Sequence, residues 1–279
     1  VAALLLLMAV CGGLGDVLRK MMLAHMSAYQ GILCMYGIFA IPCALTVLAV
    51  TGVPEVSPQA YVPWAVFLSV ISLLLFGLYR GIQLCEVSLV MPLLGLAPVA
   101  TLIGELVVFD KTTTTLGLLG VFLAAAGTYV LRLDTVKTGG VFAPFLKLFA
   151  EPGLRWGLLA VVLFAVAVPP QRMVLLTFGE DKRALAGGVA LLVLTEGLTH
   201  LCVFTLLQWR SGKGLWPGRA RWPTVFGAGF FWVTHMFILY WGFLATSPSY
   251  AMSFRSLSLF VATGVAAWKL NESVGKRLP

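Results

Sequence analysis

The sequence predicts an all-α polytopic membrane protein made of two inverted repeats of five transmembrane helices. Three observations predict it. First, 60% of the 279 residues are hydrophobic and only 11% are charged, where soluble domains carry about 25% charged residues. Second, nine segments hold roughly 20 mostly apolar residues each, the length that crosses a bilayer. Third, one stretch occurs twice. Shifted by about 161 positions, Leu78–Asp110 falls on Leu239–Asn271 without a gap, pairing Leu78 with Leu239, Tyr79 with Tyr240, Gly81 with Gly242, Ser88 with Ser249 and Met91 with Met252. A duplicated membrane unit is the mark of a transporter scaffold.

Taken in order, the spans are 2–24, 29–51, 63–84, 88–108, 114–133, 155–177, 186–208, 223–244 and 249–270. The first run, VAALLLLMAVCGGLGDVLRK, has its basic pair after the apolar core, so it reads as a first transmembrane helix rather than a signal peptide. Residues 1–133 form the first repeat (helices 1–5). Residues 134–154 form the loop between repeats, with Lys137, Gly139–Gly140, Pro144 and Lys147. Residues 155–279 form the second repeat (helices 6–9). The chain reads as a fragment whose tenth helix would follow Pro279 and resemble 116–131. An odd number of helices per unit requires the two units to lie inverted in the membrane. A weaker echo places Lys20-Met21-Met22-Leu23 on Arg172-Met173-Val174-Leu175.

The net charge of +8 speaks to topology, and nothing in the chain resembles a nucleic-acid module. Arg19, Lys20, Arg132, Lys137, Lys147, Arg155, Arg210, Lys213, Arg219, Arg221, Lys269, Lys276 and Arg277 fall on one side, against Lys111, Lys182 and Arg183 on the other. The excess of basic loop residues puts the first side in the cytoplasm and Val1 outside. The five cysteines sit in apolar runs, as small packing residues do. No metal spacing and no disulfide framework is visible, and no cofactor is expected. The sequence lacks the G-x-x-x-x-G-K-[ST] loop, which excludes ATP-driven transport by this chain alone.

The stretch GELVVFDKTTTTLGLLGVFLAAAGTYVL (104–131) resembles the end of a half-unit in the drug/metabolite transporter superfamily, EamA-type ten-helix branch. It has a helix, an acidic turn at Asp110–Lys111, then a helix with Gly120 and Gly127; the second copy of the turn is Asn271–Glu272. The chain departs from the family in having Asp110 where glutamate is preferred, and in a charge count that puts Val1 outside where members keep both termini in the cytoplasm. The resemblance implies a secondary transporter for small metabolites or drug-like compounds, working by alternating access in a bacterial inner (plasma) membrane, as monomer or homodimer. Its partners are then a small-molecule substrate, the lipid bilayer and, if transport is coupled, protons.

Ionisable groups inside membrane helices are costly and mark cavities or partners. Asp16, Arg19 and Lys20 lie at i, i+3 and i+4 on the first helix and pair on one face. They either line the path or form a neutral structural pair. Arg172 follows Pro169–Pro170, where a broken helix would aim it at an anionic substrate group; the alternative is a kink with Arg172 snorkelling outward. Glu196 and His200, at i, i+4, lie near mid-membrane, as does His235. A glutamate–histidine pair can carry a proton, so the three read as a proton-coupling or substrate-polar cluster, against an interhelical hydrogen bond. Arg255 sits where the first copy has Leu94, and it is the best single candidate for an anionic or carbonyl-bearing substrate. Its alternative is pairing with Glu196 or Asp16. Arg80, Glu86 and Glu105 read as structural. Tyr79, Tyr240, Trp232 and Trp241 read as lipid or interface-belt residues. The competing function is a membrane-embedded enzyme acting on lipid-linked head groups through Glu196, His200 and His235, disfavoured by the short loops.

Overall fold

Backbone in hydrocarbon must satisfy its own hydrogen bonds, and apolar runs of this length do so as helices. The computed structural model describes residues 1–109, 151–212 and 222–270, with 118–120, 122, 123, 126, 214 and 215 standing alone. All regular elements among these are helical. They are α1 (Ala2–Leu23), α2 (Ala28–Thr51), α3 (Tyr61–Leu84), α4 (Val87–Leu94), α5 (Ala97–Phe109), α6 (Pro152–Leu176), α7 (Lys182–Arg210), α8 (Trp222–Ala245), α9 (Pro248–Ser256) and α10 (Ser258–Leu270). Seven helical stretches are long and apolar enough to cross a membrane, counting α9 and α10 as one. The protein is an all-α polytopic membrane protein. The predicted span 114–133, most of the loop 134–154 and the acidic turns at 110–111 and 271–272 lie outside the described residues.

Two of the predicted spans are each a pair of short helices. The break in 88–108 falls at Gly95–Leu96, just before Pro98, which has no amide hydrogen to donate. The break in 249–270 falls at Leu257. There Ser253 and Ser256 turn their hydroxyls back on the carbonyls of Ser249 and Met252, at 2.9 and 3.2 Å, a habit that bends helices. The double proline of α6, where the sequence leads one to expect a break, does not interrupt it: α6 runs unbroken through Pro169 and Pro170. A proline at 169 leaves the carbonyl of Ala165 without its usual donor, and α5 packs onto that carbonyl at Gly104, where any added methyl would overlap it.

The element ends repeat as the sequence does. Leu84 and Ala245, Val87 and Pro248, Ala97 and Ser258, and Phe109 and Leu270 are corresponding boundaries, each 161 residues apart. The packing is reciprocal as well. Helix α1 packs on α8, α9 and α10, while α6 packs on α3, α4 and α5; α9 crosses α5, α10 crosses α4, and α2 pairs with α7. Close approach depends on small residues. Gly77 and Gly81 of α3 face α6 around Trp156, Gly153 and Gly157, and a Cβ at Gly81 would stand 3.1 Å from the Gly153 carbonyl.

Polar ties gather the helix ends on two faces. On one, Lys20 Nζ donates to the carbonyls of Ile82 and Cys85 at 2.8 and 2.6 Å, stabilising the C-terminal end of α3. Cys85 Sγ lies 3.7 Å from Glu151; burial, then the Glu151 carboxylate, pushes this thiol up from its usual value. Ser27 caps α2 in a capping box with Gln30 and donates to Gln208 at 2.7 Å. On the other face, Arg183 donates to the carbonyls of Val50 and Thr51 at 3.0 and 2.9 Å, next to the left-handed Gly52 that ends α2. From α1 to α5 and again from α6 to α10 successive spans alternate in direction, α4 with α5 and α9 with α10 each making one span, while α5 and α6 run parallel.

Candidate functional site

Where the helices packed on α1 meet those packed on α6, a carboxylate is buried. Glu196 of α7 is 1% exposed. Its Oε1 accepts from the Tyr36 hydroxyl and its Oε2 from the Tyr240 hydroxyl, the latter at 2.5 Å. Tyr36 reaches it from a π turn in α2 (Met35–Ala40), just ahead of Pro42, which cannot donate to the ladder. Such π turns recur at functional sites. Tyr240 reaches it from α8, so three helices converge on one side chain.

His200, one turn on from Glu196, has its Nε2 3.4 Å from Oε1 but not in hydrogen-bond geometry. Its Nδ1 pairs with the Ser72 hydroxyl of α3 at 2.9 Å. Its ring meets the Tyr36 ring edge-on, with centroids 4.4 Å apart, and Tyr36 in turn meets Trp232 at 4.7 Å. The expected glutamate–histidine pair is thus present within an aromatic and hydroxyl shell. His235 is not part of it. Its Nδ1 lies 2.9 Å from the Met8 carbonyl of α1; a carbonyl only accepts, so Nδ1 carries the proton.

Asp16 and Arg19 form the expected i, i+3 pair, 3.0 Å apart and both buried. The Arg19 guanidinium lies 4.9 Å over the Tyr79 ring. Lys20 does not join them, because it serves the end of α3. Arg255, at the end of α9, lies 5.1 Å over the Phe164 ring and makes neither a hydrogen bond nor an ion pair among the described residues. Arg172 stands apart from the centre. It pairs with Glu105 at 3.4 Å, and Glu105 accepts from the Ser249 amide at 3.0 Å, in the first turn of α9. Lys20 and Arg172, matched by the sequence echo, thus serve corresponding junctions, α3–α4 directly and α8–α9 through Glu105. Tyr79, Tyr240 and Trp232 are not belt residues: all three are buried. Trp241 lines an apolar groove at the outer surface with Leu4, Val47 and Phe237.

A central cavity of about 70 Å³ is lined by Tyr36, Gln171, Glu196, Trp232, His235, Tyr240 and Arg255, with leucines and Phe164 and Phe243 completing its walls. A second space, of about 10 Å³, lies where the two helix breaks meet, between Leu94–Gly95 and Met252–Arg255–Ser256, with Asp16 and Ser258. It has room for about one water. Arg255 borders both. Gln171 is the residue that sequence reasoning missed. It is 3% exposed, and its Nε2 has no hydrogen-bond partner. Its only sequence signal is a polar side chain in the last third of an apolar helix, directly after the prolines. Among the described residues no three His, Cys, Asp or Glu side chains stand close enough to hold a metal. No family model matches the chain, and no curated protein matches it significantly.

Proposed function

We propose that this chain is a secondary transporter of small metabolites, built from two inverted repeats of the EamA kind within the drug/metabolite transporter superfamily, and working by alternating access in a bacterial inner membrane. The observation that carries the reading is the charged cavity at the seam between the two sets of helices, bordered by a residue of a broken helix. Transporters place their sites at repeat interfaces, on discontinuous helices. The common spacing of element ends, the reciprocal packing and the opposite directions of α1 and α6 support the inverted repeat. Buried ionisable groups are costly inside a membrane and accompany a transport path.

Alternating access would open the 70 Å³ cavity to one face and then the other. The ties at each face, Ser27–Gln208 on one and Arg183 with Glu105–Arg172 on the other, join helices of different repeats and would break in turn. Glu196 and His200 supply the site for a coupled proton. The competing reading, an enzyme on lipid-linked head groups, would need the buried histidines to reach a polar head group, and His200 is fully enclosed. Reconstitution into liposomes tests the proposal, with flux of a broad metabolite panel measured with and without a pH gradient. Flux that responds to the gradient is the expected result. Turnover of a lipid substrate with no flux for any solute would overturn it.

A further inference from the structure

Hydrogen-bond capacity that a buried cavity leaves unspent indicates what its ligand must bring, since a buried polar group without a partner is costly. In the central cavity the strongest acceptor already holds a donor on each oxygen. Both oxygens of Glu196 take a tyrosine hydroxyl, and His200 stands 3.4 Å away. The donors are not satisfied. Gln171 Nε2 is buried without a partner, and Arg255 makes no hydrogen bond and no ion pair among the described residues.

The orientation of the Gln171 amide follows from its neighbour. Gln171 lies beside the Tyr240 hydroxyl without reaching hydrogen-bond geometry. Tyr240 spends its O–H on Glu196, so its oxygen has only acceptor capacity left, and this places Nε2 rather than Oε1 towards it. The amide carries two N–H donors, so one is free even if the Tyr240 contact tightens. Glu196 lines the same cavity, but no carboxylate forms an ion pair with Arg255 among the described residues. Asp16, across the one-water space, is already paired with Arg19. His235 spends its Nδ1 on the Met8 carbonyl. The remaining walls, among them Leu74, Leu78, Leu239 and Phe243, are apolar.

We infer that the cavity selects a small monoanionic carboxylate with an apolar body, its oxygens held by Arg255 and Gln171, and that Glu196 is not the substrate's partner. The inference rests on reading this cavity as the substrate site. It assigns Gln171 a specificity role and disfavours organic cations, which Arg255 repels and to which Glu196, holding a tyrosine hydroxyl on each oxygen, offers only its remaining lone pairs. The cavity is also far below the 300–1,000 Å³ or so of drug-sized sites, so the ligand is a few heavy atoms across.

The test is thermal stabilisation of the purified full chain in detergent at matched ionic strength, because a ligand that binds only the folded state raises its unfolding temperature. The probes are propionate and butyrate, with propylamine, butylamine and butyramide as matched cations and a neutral amide. The carboxylates are expected to stabilise, the amines not at all and butyramide weakly. Arg255→Gln and Gln171→Leu should each weaken butyrate binding about tenfold or more. Gln171→Glu, nearly the same shape but presenting an acceptor, should abolish it. The melting temperature without ligand reports whether each variant folds, and Arg255→Lys, which keeps the charge but loses the planar fork, should bind with intermediate affinity. Stabilisation by amines instead of carboxylates, wild-type affinity in the variants that fold, or no shift with either probe class would overturn the inference. Binding of butyrate with no flux in liposomes would sink the transport reading and leave the inference standing. Flux of cations alone would do the reverse.

Discussion

Removing the two tyrosine hydroxyls from Glu196 gives the most direct measure of how the centre is held. Tyr36→Phe or Tyr240→Phe deletes one O–H donor and leaves the ring packing in place. A hydrogen bond to a charged group contributes about 1.5–3 kcal/mol in soluble proteins, whereas polar contacts between membrane helices average about 0.6 and reach about 1.7 kcal/mol. Burial decides between these ranges. Glu196 is 1% exposed and its two oxygens take one tyrosine each, so a single loss should fall near the membrane maximum, about 1.5 kcal/mol. The double variant leaves the carboxylate with His200 alone, 3.4 Å away and out of hydrogen-bond geometry. A buried charge stripped of its partners costs about 3–5 kcal/mol, so the double loss should exceed the sum of the singles by up to about 2 kcal/mol. The assay is reversible unfolding in mixed micelles, run as a double-mutant cycle. Adding Glu196→Gln to the double variant should recover much of the loss, because the charge is gone. Singles that cost nothing, or a double that is strictly additive and not recovered by Glu196→Gln, would refute the account.

Other expectations follow from the packing. Gly104→Ala would push a methyl into the Ala165 carbonyl and separate α5 from α6; a loss of about 1–3 kcal/mol is expected in the same unfolding assay, with Gly264→Ala, which meets open space, as the silent control. Lys20→Met removes the donors at the end of α3; hydrogen exchange should rise at Gln83–Cys85 and not in α7. Glu105→Gln weakens the Arg172 pair and the tie to the Ser249 amide, so exchange in the first turn of α9 should increase. The Cys85 thiol, pushed up by burial and Glu151, holds less thiolate than a free cysteine at neutral pH, so its alkylation should lag that of a free thiol and catch up only as pH rises above the usual thiol range; Glu151→Gln should shorten the lag.

The repeat is legible in the chain itself because apolar residues and glycines recur at a fixed spacing, and the corresponding element ends keep the same spacing of 161 residues. Asp16 with Arg19 and Glu196 with His200 are legible because i, i+3 and i, i+4 neighbours share a helix face whatever the fold around them. The position of the breaks is not. Pro169–Pro170 is the strongest local signal, yet α6 continues through it, with α5 packed at Gly104 against the carbonyl that the proline leaves free. The breaks form instead at Gly95–Leu96 and Leu257. Tyr36 carries no local mark of its role, and Gln171 only that of a polar side chain just after the prolines.

By itself the sequence determined what the solvent demands of each segment. Runs of about twenty apolar residues become spanning helices, because hydrocarbon offers the backbone no other partner. It also determined which charges share a face within one helix. Only the tertiary structure decided which helices bring their side chains together: Tyr36, Glu196 and Tyr240 come from α2, α7 and α8, and Gln171 and Arg255 from α6 and α9. Contacts between helices depend on where small residues allow close approach, and that is settled by the packing of all the elements at once. The unspent donors of the cavity are therefore visible only after every other polar group has found its partner.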